Sequence, residues 1–179
     1  MLEVGTPRCA VPTCLSFNVM NKLTDTLCLQ CGLCCNGVLF GDVRPEPGDL
    51  SPLFAGRSRV SQPCPAFTAA TCACVIYADR PVRCRKFECK QLLSVGAGEI
   101  AAESALKKIR ATKKLAAKVE RLLGELGYND TALPLNRRFK RCQRAAETGG
   151  LAAEQFDTLA DLQLAVHELT LLLARDFYS

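Results

Sequence analysis

The chain has 179 residues, 49% of them hydrophobic, and its 23 basic and 18 acidic residues leave a net charge of +5. That length suits one domain, or one domain with an appendage, around a modest core. A membrane span is excluded as a reading: even the most apolar helical pattern, near the C-terminus, is broken by His167, Glu168 and Arg175, where a span needs about 20 mostly uncharged residues.

Residues 1–25 read as an N-terminal extension, either disordered or upstream of the true translation start. Met20, just before Asn21, Lys22 and Leu23, is placed to be that start, and Cys9 and Cys14 would then be passengers. Glu3, Arg8 and two prolines in this stretch, with no apolar run, argue against an export signal. A cytoplasmic, reducing environment is therefore expected, in which thiols stay free to bind metal and do not pair as disulfides.

Next comes the densest feature of the chain. Nine cysteines fall between Cys28 and Cys89, opening with Cys28, Cys31, Cys34 and Cys35 in a C-x2-C-x2-C-C run built around Gly32 and Gly37. Thiolates are the ligands that zinc, copper(I) and iron–sulfur clusters select, and two of them separated by two residues converge on one ion through a tight turn. Side chains of consecutive residues diverge, so Cys35 beside Cys34 points to a second ion or to a cluster of several metal atoms.

From Gly37 to Pro65 the chain is rich in Gly, Pro, Asp and Arg, with Arg44-Pro45-Glu46-Pro47-Gly48-Asp49 as its strongest breaker. Long regular elements are not expected there. Metal ligation is expected to supply the order that too few apolar residues cannot. Cys64, Cys72, Cys74, Cys84 and Cys89 follow, enough to complete one or two four-thiolate sites.

Two metal readings stay open. In one, Cys28, Cys31 and Cys34 hold an iron–sulfur cluster with a distant fourth cysteine, for which Cys64-Pro65 is a candidate, since bacterial ferredoxins combine the same triple spacing with a Cys-Pro ligand. In the other, one or two closed tetrahedral Zn2+ sites make the module structural. Eight thiolates on two zinc ions would carry a formal charge of about −4, and Arg80, Arg83, Arg85 and Lys86 crowd around Cys84 as if to offset it. The plainer reading of those cations is a solvated face.

Past Cys89 the texture changes to Ala, Leu, Lys and Glu. The spacing predicts a helix from Glu99 to Leu126, with Leu106, Ile109, Ala116, Val119, Leu123 and Leu126 as its apolar stripe, lysines beside or opposite it, and Gly127 as its stop. A short basic helix, Asn136 to Glu147, follows Pro134, and a last helix runs from about Leu151 to Phe177 with Leu159, Leu162, Val166, Leu169 and Leu173 as its stripe. The segment charges are +2 for residues 1–89, +8 for 90–144 and −5 for 145–179. A basic helix beside an acidic one pairs with it more simply than with phosphate. The expected fold is mainly α: an irregular, metal-stabilised cysteine-cluster module over residues 26–95, then a helical region over 96–179 forming a C-terminal antiparallel helical hairpin.

The run Cys28-x2-Cys31-Gly32-x-Cys34-Cys35-x-Gly37, with Cys64-Pro65 and then Cys74-Val75-Ile76-Tyr77-Ala78-Asp79-Arg80-Pro81-x2-Cys84-Arg85-x-Phe87-x-Cys89, resembles the CxxCxxCC cysteine-cluster proteins, the YkgJ-type family. The resemblance covers residues 28–89, about a third of the chain. It implies a zinc- or iron-chelating domain with eight characteristic cysteines, here Cys28, Cys31, Cys34, Cys35, Cys64, Cys74, Cys84 and Cys89. Cys72 departs from the pattern and could replace Cys74 as a ligand. Tyr77, Arg80 and Pro81 belong to the motif with structural roles expected: packing, a bond to sulfur or a carbonyl, and a fixed turn. Through its cysteine cluster the family also resembles the larger flagellin lysine methylases, which carry an iron–sulfur centre.

The expected function is metal binding through clustered cysteines, with zinc and an iron–sulfur cluster both open. One alternative is an iron–sulfur-dependent modifying or electron-transfer enzyme related to flagellin lysine N-methylases, although no glycine-rich nucleotide loop follows a predicted strand. The other is a protein or nucleic-acid binding module using the basic helices. Against nucleic acid, the segment with Arg137, Arg138, Lys140, Arg141 and Arg144 holds a single aromatic residue, Phe139, whereas single-strand binders interleave stacking residues. Cys142, among those cations, would be a reactive thiol if exposed. His167, the only histidine, is expected to be a surface or core residue, since it lacks partners at metal-site spacing.

Overall fold

The computed structural model describes residues 27–49 and 51–178; the readings made for residues 1–25, including Met20, Cys9 and Cys14, lie outside them. The described chain is mainly helical, with two small pairs of strands in its cysteine-rich half. Residues 27–31 form a helical turn, α1. Strand β1 (Asp42–Val43) pairs antiparallel with β2 (Val60–Ser61), with Asp42 opposite Ser61 and Val43 opposite Val60. Strand β3 (Phe67–Thr68) pairs antiparallel with β4 (Ala73–Cys74), with Phe67 opposite Cys74. Then come α2 (Val82–Lys86), α3 (Lys90–Gly96), α4 (Ala102–Glu125), α5 (Leu135–Glu147), a 3-10 turn (Ala153–Gln155) and α6 (Phe156–Asp176).

The apolar periodicity of α4 translates directly into burial. Leu106, Ile109, Ala116, Val119 and Leu123 are all buried, as are Leu159, Leu162, Ala165, Leu169 and Leu173 on α6. Helix α4 stops where its glycine signal places the stop: the N–H of Tyr128 donates to the Leu123 carbonyl at 2.7 Å and that of Gly127 to Gly124 at 3.0 Å, so last-turn carbonyls find partners. Lys108, near the start of α4, sits 3.4 Å from Asp176 at the end of α6, which sets the two long helices antiparallel. They are not joined by a short loop, because α5 and the 3-10 turn make the return between them.

The cysteine-rich half shares this core. Leu27, Leu33, Leu39 and Leu92 belong to the same buried cluster as the helical stripes. Polar straps reinforce the junction. The Gly37 carbonyl accepts the N–H of Leu135 at 3.1 Å, the Lys90 N–H donates to the Phe177 carbonyl at 3.2 Å, the Gln91 amide donates to the Asp176 carbonyl at 2.6 Å, and the Tyr178 hydroxyl donates to the Leu39 carbonyl at 2.7 Å. At Gly37 an added Cβ would lie 3.0 Å from the Pro134 Cα, so the loop after the cysteine run approaches the start of α5 as closely as backbone allows.

The long segment between Gly37 and Pro65 is irregular apart from the two-residue strands β1 and β2. Asp49 gives it an anchor. One carboxylate oxygen accepts the Val82 N–H at 2.9 Å, at the start of α2, and the other accepts the Glu46 N–H at 2.7 Å. A helix start leaves backbone N–H groups without intrahelical partners, and a carboxylate thirty-three residues upstream answers one of them.

Candidate metal centre

Gly32 brings the two halves of the cysteine pattern together. It sits at φ +68°, a left-handed conformation that side chains disfavour, and a Cβ there would lie 2.9 Å from the Phe67 ring and 3.6 Å from Cys72 Sγ. Its N–H donates to the Cys28 carbonyl at 3.2 Å and its carbonyl accepts the N–H groups of Cys35 and Asn36, both at 3.0 Å. The turn therefore folds the C-x2-C-x2-C-C run against the β3–β4 hairpin. The Cys64 N–H then donates to the Cys35 carbonyl at 2.8 Å, and Cys74 faces Phe67 across the hairpin. Helix α2 presents Cys84, and Cys89 stands at the N-cap of α3.

As a result Cys28, Cys31, Cys34, Cys35, Cys64, Cys72, Cys74, Cys84 and Cys89 all line one cavity of about 610 Å3, and none of them is in a disulfide. Among the described residues, no three His, Cys, Asp or Glu side chains already converge closely enough to hold an ion. Ligation would have to draw the sulfurs together across the cavity.

The thiols fall into two groups by which of them act on one another. Burial pushes Cys31 up to about 12, with Cys89 and Cys28 adding to the rise, and holds Cys34 well above the ordinary thiol value, with Cys31, Cys35, Cys89 and Cys28 contributing. Burial likewise takes Cys35 to about 12, and its first charge neighbours are Cys64, Cys74 and Cys84. Cys84 is pushed up to about 11 by its surroundings and then by Cys64 and Cys74, although its residue is exposed overall; Cys64 rises through burial and Cys74. The mutual effects run mainly within Cys28, Cys31, Cys34 and Cys89 and within Cys35, Cys64, Cys74 and Cys84, with Cys35 also raising Cys34 and Cys28 also raising Cys35. The two groups adjoin at the Cys34–Cys35 peptide.

A pocket of neutral thiols has a definite pH signature when no metal is bound. Folded-state values of about 11 to 12 for Cys31, Cys35 and Cys84 lie above the ordinary 9.0, because the neutral form is the one that tolerates burial. Their contribution to stability is complete below about pH 9 and is lost as pH rises through 11 to 12. Metal-free protein is therefore expected to show a urea midpoint that falls between pH 9 and 12, with the fall reduced in a variant lacking these three thiols. A midpoint flat across that range would contradict the burial of these groups.

Several features fit a thiophilic cation. The donors are soft sulfurs in number sufficient for two four-coordinate ions or a cluster. Cys31 accepts a backbone hydrogen bond from Leu33 and Cys64 one from Ala66, each of which lowers the cost of a negative sulfur. The Arg80 guanidinium lies 3.8 Å above the Tyr77 ring, and its Nε is buried without a hydrogen-bond partner. An unanswered buried donor is costly, by about 1–3 kcal/mol. Because Arg80 also acts to lower the Cys84 value, a charged sulfur on that side of the cavity is the acceptor its position suits.

Pro81 is fully buried at the N-cap of α2, consistent with fixing a turn. Arg80, Arg83 and Lys86 line the cavity while Arg85 does not, and Arg83 sits 3.4 Å from Glu46. Two residues that carry the site were not singled out in the sequence: Asp49, which orients α2, and Lys113, whose Nζ lies 3.4 Å from Cys72 Sγ and 3.2 Å from the Gln30 carbonyl. Lys113 was visible there only as one of many basic residues on α4. A run of turn formers around Asp49 was the only hint of its role.

Three expectations outside the cluster resolve. Cys142 is fully buried and burial raises its thiol, so the exposure on which its reactivity depended is not met: it is a core residue. Arg138 is buried too, donating from Nε to the Tyr128 carbonyl at 2.9 Å, and Arg141 stands 3.7 Å from Asp130. The basic face of α5 is correspondingly smaller than its sequence suggests. His167 is exposed on α6 and does not line the cavity.

No family model, curated protein or solved structure matches the chain. Among the described residues no helix is long and apolar enough to cross a membrane.

Proposed function

We propose that the chain is a metal-binding protein that chelates zinc or an iron–sulfur cluster through Cys28, Cys31, Cys34, Cys35, Cys64, Cys74, Cys84 and Cys89, in a reducing compartment. The observation that carries this reading is that cysteines as far apart as Cys28 and Cys89 line a single cavity with none of them in a disulfide. The motif resemblance over residues 28–89 supports the same ligand set, and metal ligation would add order to the irregular segment between Gly37 and Pro65. When bound, zinc supplies a structural tie or a Lewis acid, and an iron–sulfur cluster supplies electron transfer.

The test is anaerobic isolation followed by measurement of iron, sulfide and zinc per chain, together with the visible spectrum. Stoichiometric zinc in colourless protein, or iron with matching sulfide and a broad visible band, is the expected result. Protein that is isolated metal-free, takes up neither metal on reconstitution, and leaves all eight thiols open to alkylation would overturn the proposal.

A further inference from the structure

Resting on the metal-binding reading, we infer that the eight thiols make two separate four-sulfur sites, Cys28/Cys31/Cys34/Cys89 and Cys35/Cys64/Cys74/Cys84, and that Cys72 belongs to neither. The division follows the architecture. Cys31, Cys34 and Cys89 pack against the shared core of the long helices, and Cys89 leads α3, whose first N–H is tied to the Phe177 carbonyl at the end of α6. This site is built on the helical wall of the cavity.

Cys35 opens the second set. Its carbonyl holds the Cys64 N–H. From Cys64 the chain enters β3, whose Phe67 fixes the register of Cys74, and the turn after β4 leads to α2 and Cys84, held by Asp49 through the Val82 N–H. Arg80, with its unpartnered Nε, stands on this side. This second site is built on the hairpin wall, and the Cys34–Cys35 peptide is the seam between the two.

Cys72 lies at the tip of the β3–β4 turn with φ +52°, an unusual value for a residue with a side chain. Its sulfur is engaged by the Lys113 ammonium from α4, which is anchored in turn to the Gln30 carbonyl. A thiol two residues from Cys74 would be expected to share its face; Cys72, in its turn conformation, instead gives its sulfur to the Lys113 ammonium. The motif resemblance gave Cys74 as the ligand with Cys72 as a possible replacement, and the geometry points to Cys74.

Cobalt(II) titration of the full chain, made metal-free under anaerobic conditions, tests the division, because thiolate-to-cobalt charge transfer reports each sulfur-ligated ion. Two equivalents are expected for the native chain and for Cys72→Ala, and one for either Cys89→Ala or Cys74→Ala. Differential alkylation of the native chain with one equivalent bound serves as the second measurement, independent of variant folding: protection should fall on one set of four thiols before the other. Loss of an equivalent in Cys72→Ala, retention of two in Cys74→Ala, or protection of a mixed set would overturn the division while leaving metal binding intact. A native chain that binds no cobalt would sink the metal-binding reading itself.

Discussion

Leu33→Ala is expected to lower the stability of the protein by about 2–5 kcal/mol, the usual range for removing a buried leucine, and to weaken metal retention at the same time. Leu33 is fully buried within the cluster that joins the cysteine-rich half to α4 and α6. It is flanked by Gly32 and Cys34, its N–H bonds the Cys31 sulfur, and its carbonyl accepts the Leu39 N–H at 2.9 Å. Truncation leaves a cavity under the C-x2-C-x2-C-C run and frees the turn that orients Cys31 and Cys34. Urea denaturation measures the stability term, and competition with a chromophoric chelator measures retention. As a control, Leu164→Ala, at an exposed position on α6, should move both by little. A Leu33 variant with unchanged urea midpoint would contradict its place in the core.

Stripping the metal from loaded protein is expected to have the second large effect, and a localised one. A ligand that binds only the folded state stabilises it by about 4 kcal/mol when its free concentration is about 1,000 times Kd. The stabilisation should be concentrated where the ligands are. Between Gly37 and Pro65 the described chain has little regular hydrogen bonding to hold it, whereas Val119, Leu123, Leu162 and Ala165 are buried in one apolar cluster. Chelation should therefore lower the thermal midpoint and accelerate amide exchange across residues 28–89, while the far-ultraviolet helical signal of α4 and α6 persists. Lower pH should promote the loss, since protons compete with the cation for each thiolate. Equal exchange in loaded and stripped protein would show that metal contributes nothing to the order of that segment.

The two long helices were legible because their cause is local. An apolar residue every three or four positions makes a stripe whatever surrounds it, and Leu106 through Leu126 and Leu159 through Leu173 are buried almost residue for residue as their spacing indicates. The sulfur-rich character of residues 28–89 was legible for a similar reason, since the spacing of the cysteines is itself a local pattern.

Partnership between distant residues was not legible. Nothing in the spacing distinguishes Cys72 from Cys74; a left-handed turn and a lysine from α4 do. The sequence shows Cys142 only as a thiol among arginines; the packing of α5 is what puts it in the core and turns Arg138 inward to the Tyr128 carbonyl. Asp49 looks like one more turn residue until it meets the start of α2. By itself the sequence determined the helices, the sulfur-rich character of residues 28–89 and the irregular segment among them, because each depends on neighbours along the chain. Only the tertiary structure decided which thiols face one another and which cations face them, because those depend on burial and distance across the cavity, quantities that no local pattern contains.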